Sequence, residues 1–309
     1  MTVCIAAICD SNTAILIADR MKTAGDIQFE PTEGPNVAVG KIIPMTSSIA
    51  VMTAGDAGFQ AEMMTALKVA VGKRLEAAPD KWMDVKDVAD LYVEIYNKDR
   101  RTRITNTILS PFGLDIDSFI SKQGEMSEYF IRNVSNQIAD FQMPDAAIIV
   151  AGVDDTGVHI YRLYGADCDS ADSVGFACIG SGARHANTQF MAAGHHRQLP
   201  FIETLMLAFV AKKRAEVAPG VGKQTDMFMI GPQIGTLTYL PPILETKKLE
   251  AYYKGLQKGE SSAFQRAKKG LEKYVAEIAR ANAAKQQQVE AQQKPTALAS
   301  STPPPEPTT

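Results

Sequence analysis

Two kinds of apolar spacing alternate along the first 244 residues. Short apolar runs bounded by turn residues predict strands, and apolar residues three and four positions apart predict helices. The predicted strands cover residues 3–9, 14–19, 41–45, 48–53, 146–153, 158–164, 175–179, 227–230 and 236–240. The predicted helices cover residues 57–77, 85–98, about 182–193 and 200–217, and a further helix begins near residue 124.

The order of these elements repeats once. A strand pair, a glycine-containing turn and a helical stretch occur in the first half, and again from residue 146 onward. This order predicts two packed sheets with helices outside them, because each apolar strand then has one face on the other sheet and one face under helices. The expected fold is α+β, a four-layer αββα sandwich.

Three further segments complete the predicted organisation. Residues 85–141 form a helical insertion in a domain of residues 1–244, broken by Ser-Pro-Phe-Gly at 110–113. Residues 245–285 form a C-terminal helical extension, in which Ser261 or Ser262 can serve as N-cap. Its apolar residues at helical spacing are Phe264, Ala267, Leu271, Tyr274, Val275 and Ile278. Residues 286–309, rich in Gln, Ala, Ser, Thr and Pro, are expected to be disordered.

Charge and composition argue against several partner classes. The net charge is −3, of which residues 245–309 carry +4, which leaves −7 on residues 1–244. An acidic body without a basic stripe argues against nucleic-acid binding. The longest apolar run, at 146–153, is too short to span a bilayer, and the N-terminus lacks the basic flank of a secretion signal. The four cysteines show no zinc-type spacing, and in their apolar, strand-like surroundings they are expected to be small buried hydrophobic residues. A reduced cytoplasm is the expected location.

The strongest candidate for chemistry is Thr2. Initiator methionine is generally removed before a small residue, and removal of Met1 makes Thr2 the N-terminus. A terminal threonine joins a hydroxyl nucleophile to an α-amine whose usual pKa, about 8, suits a general base. Met-Thr starts are common, however, so this feature alone does not indicate catalysis.

Two charged residues at predicted strand ends strengthen the candidate. Asp19 ends the second strand, and Lys41 begins the third. If these strands neighbour the first, the Lys41 ammonium can lie near Thr2 and activate it, with the carboxylate holding the lysine. The alternative is that both are ordinary solvent-facing charges.

Five short motifs, in their order and spacing, resemble proteasome β-type subunits, which belong to the N-terminal nucleophile (Ntn) hydrolases. They are Thr2, Ile17-Ala18-Asp19-Arg20, Gly40-Lys41-Ile42-Ile43, Thr53-Ala54-Gly55-Asp56 and Ile179-Gly180-Ser181-Gly182. The similarity covers about residues 2–239 and is greatest to the ancestral β-subunit-like bacterial homologues.

The resemblance implies a role for each matching residue. Thr2 is the nucleophile, Asp19 its acidic partner, Lys41 the lysine that tunes it, and Ser181 with Glu216 orders the amine. The implied oxyanion donors are backbone N–H groups of Met52, Thr53, Ala54 and Gly55. The sequence departs from the family at Pro219, which replaces a serine of the hydrogen-bond network, in the shorter loop before Thr53, and in the long 85–141 and 245–309 segments.

The expected function is therefore hydrolysis of a peptide or protein by a cytoplasmic threonine protease. The protease is expected to form a homo-oligomeric ring and to need no metal or organic cofactor. The sequence does not identify an ATPase partner. Two alternatives remain: a non-catalytic ring or scaffold subunit, favoured by Pro219 and the altered oxyanion turn, and a small-molecule Ntn amidase. His159, His185, His195 and His196 have no metal-site spacing, and Gly180-Ser181-Gly182 lacks the pattern of a hydrolase nucleophile elbow.

Overall fold

The computed structural model describes residues 2–24, 27–31, 40–241 and 243–293, and the chain divides into the units Met1–Leu249 and Glu250–Thr309. The described strands are β1 (Cys4–Cys9), β2 (Thr13–Asp19), β3 (Lys22–Ala24), β4 (Ile27–Phe29), β5 (Ile42–Pro44), β6 (Ile49–Gly55), β7 (Ala146–Asp154), β8 (Gly157–Tyr164), β9 (Asp167–Ser170), β10 (Phe176–Ile179), β11 (Thr225–Ile230) and β12 (Thr238–Tyr239). The helices are α1 (Ala57–Ala77), α2 (Val85–Ile104), α3 (Ile116–Ser121), α4 (Glu128–Ala139), α5 (Ala183–Ala192), α6 (Phe201–Ala215) and α7 (Thr246–Gln293).

Two five-stranded antiparallel sheets form the centre of the first unit. One has the strand order β10-β1-β2-β11-β12, and the other has the order β5-β6-β7-β8-β9. Each sheet therefore combines strands from both halves of the chain. The short β3-β4 hairpin stands apart from them, and neither it nor β9 was predicted from the sequence. The mixed α and β content agrees with the predicted α+β class.

Alternate strand residues explain how the sheets are buried. Ala6 and Leu16 of one sheet share an apolar cluster with Met52 and Ile149 of the other. On its other face, the second sheet contributes Val51 to a cluster with side chains of α1 and α2. Helices α5 and α6 contact β10, β1 and β2 of the first sheet. Both faces of β1 and β2 are consequently buried along their whole length, as their continuous apolar sequence predicts.

The insertion is helical, as predicted, but its first helix belongs to the main core. Apolar side chains near the start of α2, such as Val88, pack against the second sheet. The chain then passes through a π-helical turn and a 3₁₀ turn, Ser110–Phe112, which ends at Gly113 with φ of 70° at the predicted break. A small separate core around Leu109, Phe119 and Val134 joins the following helices.

The second unit corrects two predictions. Helix α7 begins at Thr246, so Ser261 and Ser262 lie inside it and neither is an N-cap. The Ser262 hydroxyl instead donates to the carbonyl of Lys258, at 2.9 Å. The prediction of disorder from residue 286 is wrong for residues 286–293, which continue the helix because Ala, Gln and Glu favour it. Residues 294–309 lie outside the described residues.

Five of the six apolar residues predicted to form a stripe on α7 are large, and all five are exposed: Phe264, Leu271, Tyr274, Val275 and Ile278. The homo-oligomeric ring stays a prediction. None of the described helices combines the length and the apolar character that crossing a membrane requires.

Candidate active site

The Thr2 hydroxyl lies in a buried three-way contact with a lysine and an aspartate. Thr2 is 2% exposed, just ahead of β1, and its Oγ1 donates to Oδ1 of Asp19 at 2.5 Å. Lys41 Nζ donates to the same Oγ1 and also to Asp19 Oδ1, the latter at 2.8 Å. The structure thus brings together the three residues predicted as nucleophile, acid and lysine. The ammonium is placed to stabilise negative charge that develops on Thr2 Oγ1.

Asp19 reaches this position because β2 pairs antiparallel with β1, which puts the end of β2 beside the start of β1. Its carboxylate is 0% exposed and is surrounded by backbone donors. The N–H of Val3 donates to Oδ1 at 2.8 Å, and the N–H groups of Met21 and Gly222 donate to Oδ2 at 3.0 and 2.9 Å. These hydrogen bonds fix the orientation of the carboxylate.

Lys41 comes from the other sheet. It immediately precedes β5, whereas Thr2 lies just ahead of β1 and Asp19 ends β2 in the first sheet. Strand neighbours in one sheet therefore do not explain the contact, contrary to the sequence argument. The lysine instead reaches across from one sheet to the other, with its side chain 11% exposed.

Cys4, the nearest alternative nucleophile, is held as a thiol. Burial raises its pKa to about 12, although the Lys41 charge acts in the opposite direction. Its Sγ contacts the backbone carbonyl of Thr53 at 3.5 Å. A thiol with this pKa has little thiolate at neutral pH, so Cys4 is inert beside Thr2.

The predicted turn at Gly180-Ser181-Gly182 wraps around Thr2. The Thr2 N–H donates to Ser181 Oγ at 3.1 Å, and the Gly182 N–H donates to the Thr2 carbonyl at 3.0 Å. Gly180 has φ of 93°, and a Cβ there would lie 2.4 Å from the Thr2 carbonyl oxygen. Glycine is therefore required at this close approach, and Ser181 lies beside the Thr2 nitrogen, as predicted.

Pro219 supplies an acceptor where the resemblance leads one to expect a serine hydroxyl. Its backbone carbonyl lies 3.2 Å from Ser181 Oγ, which can therefore accept from the Thr2 nitrogen while it donates to Pro219. A main-chain carbonyl is independent of the side chain. The departure at Pro219 consequently leaves Ser181 with a hydrogen-bond partner.

Glu216 has different partners from those predicted. It caps the C-terminus of α6 and accepts from Lys212 Nζ at 2.6 Å and from Lys213 Nζ at 2.7 Å. Lys212 is 0% exposed and also donates to the carbonyl of Lys223 at 2.8 Å. The described contacts of Glu216 thus assign it to a buried ion pair, not to the Thr2 nitrogen.

We expect Glu216→Gln to lower the free energy of unfolding by about 3 kcal/mol, because a buried charge is left without its partner. Burial lowers the pKa of Lys212 while Glu216 raises it, so the variant lowers this pKa further. The cost is full while Lys212 is charged in both folded proteins. It shrinks as pH rises past the folded-state pKa of Lys212 in the variant toward the higher folded-state pKa in the wild type, which itself lies below the ordinary value of 10.5.

Urea titrations of the wild type and the variant between pH 7 and 10 measure this difference. The exposed Glu245, whose Lys248 contact is also exposed, provides the control substitution Glu245→Gln. A deficit no larger than that of the control, or one that grows with pH, would contradict the assignment.

Among the four predicted oxyanion donors, Gly55 is the best placed. The Thr53 N–H donates to the Lys41 carbonyl at 3.1 Å, and the Asp56 N–H donates to the Asp145 carbonyl at 2.8 Å. Successive N–H groups of a strand point to opposite edges, so the Gly55 N–H points to the Lys41 side and that of Ala54 to the other. Gly55 lines the Thr2 cavity, whereas Met52 is 0% exposed in the core between the sheets.

A cavity of about 300 Å³ opens beside Thr2. Its walls come from the start of β3, the residues around Lys41, the end of β6 and one side of α1. Its lining residues are Thr2, Met21, Lys22, Gly40, Lys41, Ile43, Thr53, Ala54, Gly55, Ala57, Gln60, Ala61, Met64, Thr65 and Lys68. This cavity can hold the part of a substrate that adjoins the Thr2 hydroxyl.

Sequence reasoning missed Gln60 and Gly222. Gln60 Nε2 donates to the carbonyls of Ala54 and Ala147, at 3.1 and 3.5 Å, and so braces the end of β6 where Gly55 lies. Gly222 packs closely, since a Cβ there would lie 2.2 Å from Glu30 Oε1. The signals available in the sequence were a glutamine inside the predicted helix at 57–77 and the Gly-Val-Gly segment at 220–222.

Groups of His, Cys, Asp and Glu arranged to hold a metal ion do not occur within the described part of the chain. His159 instead contacts Asp172 through Nδ1, at 2.6 Å, and Thr156 through Nε2, at 2.7 Å. Burial lowers the pKa of His195.

Compared with known proteins, the sequence matches no family model, and no curated protein is significantly similar to it.

Proposed function

We propose that this chain is an N-terminal-threonine hydrolase of the proteasome β-subunit kind, which cleaves peptide or protein amide bonds. The observation that carries the proposal is the contact of Thr2 Oγ1 with both Lys41 Nζ and Asp19 Oδ1, next to a cavity. A hydroxyl activated by a neighbouring charge and open to a cavity is the arrangement that nucleophilic catalysis requires.

The proposed reaction begins once Met1 has been removed. The Thr2 hydroxyl attacks the scissile carbonyl, and its proton passes to the free Thr2 amine, directly or through water. Lys41 favours the alkoxide, Asp19 positions Lys41, and the Gly55 N–H stabilises the oxyanion. The amine returns the proton to the leaving nitrogen, which leaves an ester on Thr2 that water hydrolyses.

The four-layer αββα sandwich is part of the same proposal. It is supported by the apolar cluster shared between the two sheets and by the packing of α1 and α2 on one sheet and of α5 and α6 on the other. In this arrangement the site lies where the start of β1 meets the residues before β5.

The hydrogen bonding of Asp19 and Ser181 around Thr2 is complete, which argues against a non-catalytic scaffold subunit. Asp19 keeps three backbone donors, and Ser181 keeps acceptors in the Pro219 and Thr2 carbonyls, at 3.2 and 3.3 Å. A polar cluster buried at this cost is better accounted for by catalysis than by packing, since apolar residues would fill the same space more favourably.

We expect Thr2→Ala to abolish covalent labelling by a peptide epoxyketone or a β-lactone, because no hydroxyl remains to attack the electrophilic carbon of either reagent. Intact-protein mass spectrometry measures the labelling, and the same spectra show whether Met1 is absent from the wild-type protein. Alanine is also small, so the variant keeps the processing that threonine permits.

The matched control is Thr65→Ala. Thr65 lines the same cavity, but its Oγ1 donates to the Ala61 carbonyl at 2.8 Å within α1. The control variant should be labelled as fast as the wild type. Equal labelling of Thr2→Ala and the wild type, or retention of Met1 in labelled protein, would rule out the terminal-threonine mechanism.

A further inference from the structure

Every charged side chain among the described residues that line the cavity beside Thr2 is positive. Lys22, Lys41 and Lys68 line it, and none of the described lining residues is Asp or Glu. The first 244 residues carry a net charge of −7, so this cluster is opposite in sign to the body around it. A cleft lined by one sign of charge attracts ligands of the other sign.

Two of these lysines have no carboxylate of their own. Lys41 is paired with Asp19, whereas Lys22 and Lys68 form no ion pair within the described part of the chain. The pKa of Lys22 is lowered, first by partial burial and then by the Lys41 charge, and no carboxylate opposes the shift. The ammonium of Lys22 is therefore placed where an anionic ligand would stabilise it.

The two lysines approach the cavity from different elements. Lys22 begins β3 and Lys68 lies on α1, and these two elements contact each other. The walls of the cavity also carry the apolar side chains of Met21, Ile43 and Met64. An apolar wall with cations near it suits a side chain that has a short methylene stem and a negative end.

We propose that the cavity selects a substrate with an acidic side chain, Glu or Asp, on the residue whose carbonyl Thr2 attacks. This inference rests on the proposed function, because it assigns the cavity to the acyl side of the scissile bond. Lys22 and Lys68 are then the specificity-determining residues: they neutralise the carboxylate and disfavour a basic side chain in its place.

Equilibrium binding tests the selection without any turnover. In the Thr2→Ala background, acetylated peptides that differ only in a C-terminal Glu, Gln or Lys are titrated, and the dissociation constants are measured by calorimetry. We expect the Glu peptide to bind at least about tenfold tighter than the Gln peptide, which is the low end of what a charged hydrogen bond contributes. The Lys peptide should bind weakest.

Variants of Lys22 and Lys68 test whether these two residues create the preference for the Glu peptide. Lys22→Gln should reduce the Glu-over-Gln ratio to near one, Lys68→Gln should reduce it in part, and Lys22→Arg should keep it. The control is Lys73→Gln, because Lys73 is exposed on α1 outside this cavity and should leave the ratio unchanged. Melting temperatures of all variants verify that they are folded.

Equal binding of the Glu and Gln peptides, or an unchanged ratio in Lys22→Gln, would overturn the inference. Neither result depends on whether Thr2 is a nucleophile, which the labelling experiment decides separately. Labelling of wild-type Thr2 together with equal peptide binding would keep the proposed function and reject the acidic selectivity.

Discussion

Asp19→Ala should lower the free energy of unfolding by about 3–5 kcal/mol and should also abolish acylation of Thr2. Asp19 is 0% exposed and receives hydrogen bonds from Val3, Met21 and Gly222 in addition to its contacts with Thr2 and Lys41. Alanine leaves three backbone N–H groups without their acceptor and removes the carboxylate that pairs with the Lys41 ammonium. Each unsatisfied buried group costs roughly 1–3 kcal/mol.

Asp19→Asn separates charge from hydrogen bonding at the same position. An asparagine offers one acceptor oxygen, whereas the backbone donors approach both carboxylate oxygens, Val3 at Oδ1 and the other two at Oδ2. Its NH₂ group must then face at least one donor. We therefore expect Asp19→Asn to be destabilised nearly as strongly as Asp19→Ala.

Urea denaturation at pH 7 measures both variants, and β-lactone labelling measures acylation. Asp155→Ala is the control, because Asp155 is exposed in the β7–β8 turn and such substitutions usually change stability by less than about 0.5 kcal/mol. If Asp19→Ala is as stable as this control, the carboxylate does not organise the start of β1 and the end of β2.

The sequence was most informative where apolar runs are continuous. The predicted helix at 57–77 coincides with α1, and the strands at 14–19 and 146–153 lie within one residue of β2 and β7. Burial on both faces produces such runs, so periodicity and turn residues were sufficient. The short strands β3 and β9 have only three and four residues, and three of the four residues of β9 are exposed, which leaves no apolar pattern to read.

The candidate site was predictable where a side chain carries the chemistry. Thr2, Asp19 and Lys41 were identified from residue type and position, and Ser181 was added by the resemblance. The structure places Thr2 in contact with each of the other three. Glu216 was also assigned by resemblance, and its carboxylate faces Lys212 and Lys213 instead. An acid at the end of a lysine-rich helix has nearby partners at positions i−4 and i−3 that compete with any distant role.

Backbone groups could not be assigned from the sequence. The distinction between Met52 and Gly55 as oxyanion donor depends on which edge of β6 each N–H faces, and this is fixed by the pairing of β6 with β7. Likewise, the fit of the Met21 and Gly222 N–H groups to Asp19 requires the tertiary fold. Neither feature has a side-chain signature.

Lys41→Ala should slow acylation of Thr2 by about a hundredfold or more, since one lost transition-state charge contact is worth on the order of 3 kcal/mol. The cost in stability should be much smaller. Asp19 keeps its three backbone donors in this variant, and the Lys41 side chain is already partly exposed at the cavity.

This contrast between rate and stability distinguishes an electrostatic role from a structural one. The rate constant for β-lactone labelling and the urea midpoint are measured on the same preparations, with Lys68→Ala as the control for removing a cavity lysine that does not contact Thr2. Lys68→Ala should label at a rate within a few-fold of the wild type with a non-acidic probe. A Lys41→Ala protein that labels normally would make Lys41 a surface charge, and one that is destabilised in proportion to its rate loss would make it a structural partner of Asp19. A hundredfold slower reaction in a protein of nearly unchanged stability is the result that requires the ammonium to act on the Thr2 oxygen.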